Sequence, residues 1–359
     1  MNPLVPSPDT IPVPWGYFQF LLMLTFALHL LLMNALVGST GIALYAHLRG
    51  GEVHGRLASG LSKVLPILVA FTVNFGVAPL LFVQVLYGHL FYASSILMAV
   101  FWLAVIPLLI AAYYAAYLYG FRFVALGRGG AAVIGLALLL FLAVAFLYTN
   151  NMTLMLDPRR WQAYFANPRG TVLNLGDPTL IPRYLHFMLG AAAIGGLFVA
   201  LFGRFKEGKD KEVGELATRL GLRIFLAFTL VEVVVGFWFL ASLPREVMHL
   251  FMGRNAAGTV LFAAGILLTA LVLLTAYKRR VLPTVVLTVV LVYLMTFLRD
   301  FVRTGYLAPV FSPDQLKVVP QYGPMVLFAV TLVAGISALA WMILKAKEAV
   351  SGASEREER

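Results

Sequence analysis

The strongest constraint on this chain is an apolar run near its start, from residue 14 to residue 46. His29 lies in the middle of this run, and no charged residue occurs within ten positions of it on either side. A run of eighteen or more apolar residues is typical of a transmembrane helix. A titratable side chain inside such a helix is costly to bury, so we expect His29 to have a partner or a function.

Similar runs recur along the whole chain, and 61% of the 359 residues are hydrophobic. Because backbone groups inside a bilayer must be satisfied within the protein, and the alternating pattern of a β-barrel is absent, the spans are predicted to be helices. The sequence therefore predicts an all-α polytopic membrane protein with about nine transmembrane helices in one bundle. No internal repeat is evident. The predicted spans are 15–46, 63–87, 92–119, 131–149, 183–203, 219–243, 256–277, 281–302 and 322–345.

The formal net charge is +11, and the basic residues lie in the short connections after spans one, three, five and seven and at the C-terminus. By the positive-inside rule these connections are cytoplasmic, so the N-terminus is expected outside and the C-terminus inside. The same distribution speaks against a nucleic-acid partner. We expect residues 1–345 to form a single membrane domain in a bacterial or archaeal inner membrane, and 346–359 to form a charged, disordered tail.

The outer connections 150–182 and 303–321 are long. Within the first, PRRWQAYF (158–165) predicts a short helix at the membrane interface, with Trp161 and Tyr164 at headgroup depth.

Two histidines fall at matched depth. His29 lies 20 residues before Arg49 and His186 lies 18 residues before Arg204, so each is about 30 Å above the cytoplasmic boundary. The chain has no cysteine, so a haem would need histidine or methionine ligands. Two inward-facing histidines at one level predict axial ligation of haem iron by His29 and His186. The alternative is that each makes only a structural hydrogen bond between helices.

Other polar side chains near the predicted haem suggest further roles. Arg183 shares a helix face with His186 and is predicted to bind haem propionates. Glu232, deep in span six, is a candidate for quinol binding or proton transfer, or a neutral acid satisfied by a neighbouring helix. Arg299 and Asp300 are expected to pair at the outer end of span eight and to take part in the same chemistry. Met295 is an alternative haem ligand, although a methionine in an apolar helix usually packs. Further arginines at the outer side are Arg159, Arg160 and Arg303.

Span one with its histidine and the span-five sequence PRYLHFMLGAAAIGGLFVALFG resemble the large subunit of cytochrome bd oxidase. That resemblance implies nine spans, haem-ligating histidines on helices one and five, and quinol oxidation at the outer face. The chain lacks the glutamate pair on span three, the long quinol loop after span six and a G-R-x-P-W-like segment, so the resemblance does not extend to oxygen reduction or haem d. VAPLLFVQVLYGHLFYASSILM also resembles bacterial membrane proteins that accompany multihaem cytochromes c.

The expected function is therefore a respiratory membrane cytochrome b, an oxidoreductase subunit with one or two haems b. It would carry electrons between the quinone pool and a cytochrome c on the outer face, and assemble with lipid and other subunits. Two alternatives remain: a haem-free quinone-binding subunit of a reductase complex, and a transporter. Pro66, Pro79 and Pro107 interrupt spans two and three as in transporters, but no matching pair occurs in the second half.

Overall fold

A computed structural model describes the backbone of residues 4–357 and the side chains of residues up to Glu348. Within that part of the chain, nine helices are long and apolar enough to cross a membrane, which confirms the predicted multi-pass helical fold. The nine helices are α1 (Trp15–Arg49), α2 (Glu52–Leu97), α3 (Ala99–Phe121), α4 (Gly130–Leu156), α5 (Leu180–Lys206), α6 (Lys211–Ser242), α7 (Ala256–Tyr277), α8 (Val281–Leu307) and α9 (Tyr322–Glu357).

The boundary between spans two and three differs from the prediction. The sequence predicts that span two ends at 87, and the helix is indeed kinked at Tyr87, with φ −131° and ψ 23°. Beyond this kink α2 continues to Leu97, and the chain turns at Met98, seven residues later than the predicted start of span three at 92 suggests. The last turns of α2 stay helical because their polar groups are satisfied: the Ser94 hydroxyl donates to the Asn151 side chain on α4 at 3.0 Å.

The connection between α4 and α5 contains the predicted short helix, as a 3-10 turn (Pro158–Gln162) followed by an α-turn (Ala163–Ala166). The depth of Trp161 relative to the membrane stays a prediction. Its side chain is buried, and the indole N–H donates to the Leu154 carbonyl at 2.8 Å. A buried indole needs such an acceptor, so Trp161 fixes the connection to the end of α4.

We call the end of the bundle formed by residues 157–179, 243–255 and 308–321 the loop-rich end. There the N-terminal segment pairs with the last connection: the Ile11 amide donates to the Lys317 carbonyl at 3.0 Å, and the Val319 amide to the Ile11 carbonyl at 2.9 Å. These two bonds join the start of the chain to the segment that leads into α9.

Helices α1 and α5 cross at the centre of the molecule through two glycines. A Cβ atom built on Gly38 would lie 2.7 Å from the Gly195 Cα, and one built on Gly195 would lie 2.3 Å from the Gly38 Cα. Only residues without a side chain allow this approach. Gly38 lies nine residues after His29 and Gly195 nine residues after His186, so the two helices meet at equivalent positions.

Around this contact the sequences of α1 and α5 resemble each other. The two helices align without a gap with seven identical pairs: Leu28/Leu185, His29/His186, Leu32/Leu189, Ala35/Ala192, Gly38/Gly195, Ala43/Ala200 and Leu44/Leu201. Each helix leads into a partner helix with a Glu-Val pair in its first turn, Glu52-Val53 in α2 and Glu212-Val213 in α6. The hairpins α1–α2 and α5–α6 therefore carry their histidines and their crossing glycines at equivalent positions.

Helix α9 does not pack into the bundle. Its side chains from Tyr322 to Glu348 are exposed along the whole length, including Trp341 at 62%. The helix is apolar and long enough to span a membrane, so this surface is suited to contact with lipid or with another apolar partner. The backbone is helical across residue 345 and the side chains beyond Glu348 lie outside the described residues, so the expected disorder of the tail stays a prediction.

Candidate functional site

The His29 imidazole lies against helix α2. Its Nδ1 is 3.1 Å from the Thr72 carbonyl oxygen, and its ring packs on the backbone of Gly76, one turn further along. A Cβ at Gly76 would lie 2.8 Å from the His29 Cε1, so only glycine leaves room for the ring there. The carbonyl fixes the protonated tautomer at Nδ1, which leaves the Nε2 lone pair available.

His186 occupies the equivalent notch in the second hairpin. Its ring packs on Gly236 of α6, and its Nδ1 is 3.8 Å from a carboxyl oxygen of Glu232, one turn before that glycine. Phe239 stacks almost parallel to the ring, with centroids 6.5 Å apart and planes 16° apart. Glu232 also contacts the backbone of α5, since a Cβ at Gly190 would lie 2.8 Å from its Oε1.

The two histidines occupy equivalent positions in α1 and α5. Each ring lies on the second helix of its own hairpin. No hydrogen bond or ring contact joins His29 to His186 within the part of the chain that is described. The arrangement gives two equivalent imidazole sites, one beside the Thr72 backbone and one beside the Glu232 carboxyl group.

Three arginines gather near the loop-rich end. One of them, Arg183, lies one helical turn before His186 on α5. Each guanidinium lies over an aromatic ring: Arg183 is 5.0 Å from the Phe239 centroid, Arg299 is 4.4 Å from Phe26, and Arg303 is 4.5 Å from Tyr87. Phe239 therefore lies between His186 and Arg183. We call Arg183, Arg299 and Arg303 the arginine cluster.

The pairing of Arg299 with Asp300 is wrong, because Asp300 forms its ion pair with Arg303. Adjacent residues point to different faces of a helix, whereas residues three apart share a face. Arg299 instead stacks on Phe26 of α1 and interacts electrostatically with both other arginines of the cluster.

Met295 packs against helix α7. Its Cε would lie 3.3 Å from a Cβ at Gly265, and its neighbours are Leu298, Phe262 and other apolar side chains. The thioether thus contacts α7, whereas the two imidazoles contact α2 and α6. Among the described residues, no group of three or more His, Cys, Asp or Glu side chains is arranged to hold a bare metal ion.

Several residues of the site carry no obvious sequence signal. Gly76 and Gly236 are single glycines in apolar helices, a common pattern in membrane spans. Tyr87 and Phe239 read as ordinary apolar or interfacial residues. Arg303 has a usable signal, because it follows Arg299 by four residues and so shares its helix face.

No family model and no curated protein matches the chain. The two imidazole sites and the arginine cluster therefore carry the functional interpretation by themselves.

Proposed function

We propose that this protein is a membrane haem-b subunit that transfers electrons between the quinone pool and a cytochrome c. The geometry at His29 is the observation that carries this proposal. Axial histidines of haem and metal sites generally donate one ring N–H to a carbonyl or carboxylate, which orients the ring and leaves the other nitrogen for the metal. The Nδ1···O contact of 3.1 Å from His29 to Thr72 has this form.

His186 is the second proposed ligand. Its Nδ1 faces a carboxyl oxygen of Glu232 at 3.8 Å, so its Nε2 is the proposed ligand atom, as it is for His29. The notch at Gly76 leaves no room for a Cβ beside the His29 ring, whereas a Cβ at Gly236 would lie at ordinary contact distance from the His186 ring. The Thr72 contact and the Gly76 notch hold the His29 ring in a fixed orientation, which is what an iron ligand requires. Bound haem b would supply a reversible one-electron couple at this level of the membrane.

Glu232 is proposed to act on quinol. Quinol oxidation releases two electrons and two protons, and an acceptor must lie within hydrogen-bond reach of the hydroxyl group. The side chains of His186 and Glu232 are 29% and 25% exposed, although both lie well inside their spans. Part of the Glu232 side chain is thus accessible, and a lipid-soluble molecule is proposed to reach it there. Arg299 and Asp300 remain proposed participants near the loop-rich end.

The loop-rich end is proposed to face the outside of a bacterial or archaeal inner membrane and to dock the cytochrome c. The opposite end carries short basic turns such as Lys278–Arg280, which give a protein partner little surface. Other subunits of a respiratory complex are proposed to contact the exposed helix α9.

The proposal is tested by the absorption spectrum of the protein purified from cells with ample haem supply. We expect a Soret band and a reduced-minus-oxidised α band typical of haem b. His29→Ala and His186→Ala should each abolish or shift part of that signal while the protein still inserts in the membrane. His249→Ala, in the 3-10 turn His249–Phe251, is the matched control and should leave the spectrum unchanged.

A haem-free quinone-binding subunit is the second candidate, favoured by the partly open His186–Glu232 pair. It predicts the same quinone binding without a Soret band. Wild-type protein that lacks Soret absorbance under these conditions would remove the haem proposal and leave this one.

A further inference from the structure

The arginine cluster carries more positive charge than the described residues around it balance. Arg183 and Arg303 are 7% and 3% exposed, and Asp300 is the one carboxylate among the described side chains that forms an ion pair with the cluster. Asp177 interacts with Arg183 at longer range. Its carboxylate is engaged elsewhere, accepting from the Thr179 amide at 2.7 Å and the Thr179 hydroxyl at 2.6 Å.

Several guanidinium N–H groups of the cluster lack acceptors. Arg183 stacks on Phe239 with its flat face, whereas Arg303 donates from Nη2 to Asp300 and also interacts with Tyr87. Nε and Nη2 of Arg183 are buried without a hydrogen-bond acceptor among the described residues, as are Nε and Nη1 of Arg303. The Nε and Nη2 hydrogens of one guanidinium point in parallel, which is the geometry that two oxygens of a carboxylate or phosphate accept.

An unpaired buried charge is too costly to be left without compensation. The first turn of α5, which holds Arg183, adds the positive end of a helix dipole to the same place. Side chains of the described part of the chain do not supply the missing acceptors, so ordered water or a bound ligand must supply them, and only an anion would also balance the charge.

We propose that the arginine cluster binds an oxyanion, through the Nε–Nη2 edge of Arg183 and a single unpaired N–H group of Arg303. The ligand has carboxylate or phosphate chemistry and sits near the membrane boundary of the loop-rich end. Two sources offer this chemistry: the carboxylate pair of a porphyrin and the phosphate of a lipid headgroup. The site does not depend on the haem proposal, because its unpaired N–H groups need an acceptor in either case.

The first test uses haem-free, delipidated protein in a neutral detergent with inorganic phosphate as the probe. Phosphate should raise the melting temperature more than chloride at equal ionic strength. In Arg183→Gln the apparent affinity for phosphate should fall about tenfold or more, since two charge-assisted hydrogen bonds are lost. Arg183→Lys keeps the charge but loses the planar pair of N–H donors, so it should also lose most of the phosphate effect. This variant provides the test if Arg183→Gln does not fold. Arg159→Gln is the control, because Arg159 is an exposed arginine paired with Asp157.

Two further arms identify the source. If porphyrin carboxylates fill the site, haem with esterified carboxylates should bind wild-type protein less tightly than free haem, and Arg183→Gln should bind both equally. If a lipid fills it, nanodiscs of phosphatidylglycerol should stabilise wild-type protein more than nanodiscs of phosphatidylcholine, and Arg183→Gln should show no difference. An effect of Arg183 in either arm supports the site.

Equal stabilisation of wild-type protein by phosphate and chloride overturns the proposal, as does insensitivity to Arg183 in both arms. These outcomes are distinct from a failure of the haem proposal. A protein without Soret absorbance can still respond to phosphate through Arg183, and a haem protein can lack that response.

Discussion

Replacing Gly76 by alanine tests whether the notch in α2 positions His29. The new Cβ would lie 2.8 Å from the His29 Cε1, and ordinary contact begins at 3.4 Å, so the ring must move by about 0.6 Å. Movement of that size away from α2 stretches the 3.1 Å contact from Nδ1 to the Thr72 oxygen beyond hydrogen-bond range. Leaving the imidazole N–H without its acceptor costs about 1–3 kcal/mol.

The equivalent change in the second hairpin is the matched control. A Cβ at Gly236 would lie 3.4 Å from the His186 Cε1 and 3.6 Å from its Nδ1, within ordinary contact distance. Reduced-minus-oxidised spectra and potentiometric titration of both variants should therefore show a shifted midpoint potential or lost haem in Gly76→Ala, and near wild-type behaviour in Gly236→Ala. The reverse order, or no change in Gly76→Ala, would refute the claim that this notch orients an iron ligand.

The helix arrangement makes three further predictions. Reporter fusions at residues 208 and 165 should report the cytoplasm and the exterior respectively; the same side for both would contradict the proposed topology. Gly195→Ala should prevent folding or sharply reduce the yield of membrane-inserted protein. The new Cβ would approach the Gly38 Cα to 2.3 Å and force the two helices apart by about 1 Å. Normal yield and stability would show that the crossing is looser than this distance implies. Crosslinking in membranes should join a soluble or lipid-anchored carrier to 157–179 or 308–321; crosslinks confined to the opposite end would count against docking at the loop-rich end.

The spans are predictable from sequence because the mean hydropathy of an eighteen-residue window depends only on the residues in that window. It does not depend on which helices pack against the span. The positions of His29 and His186 are predictable in depth, since the helical rise converts residue counts into distance. The direction in which each ring points is not, because it depends on Gly76 and Gly236 in other helices. The ion pair of Asp300 is predictable in principle from helical periodicity, because Arg303 shares its helix face and the adjacent Arg299 does not.

The resemblance of the two hairpins also brings out a difference between them. Gly38 and Gly195 meet at equivalent positions, so both hairpins contribute the same kind of contact to the crossing. Position 26 is phenylalanine in the first hairpin, whereas its counterpart, position 183, is arginine in the second, and Arg299 stacks on the ring of Phe26. Positive charge is thus concentrated on one side of the crossing, an arrangement that two identical subunits related by a two-fold axis cannot adopt.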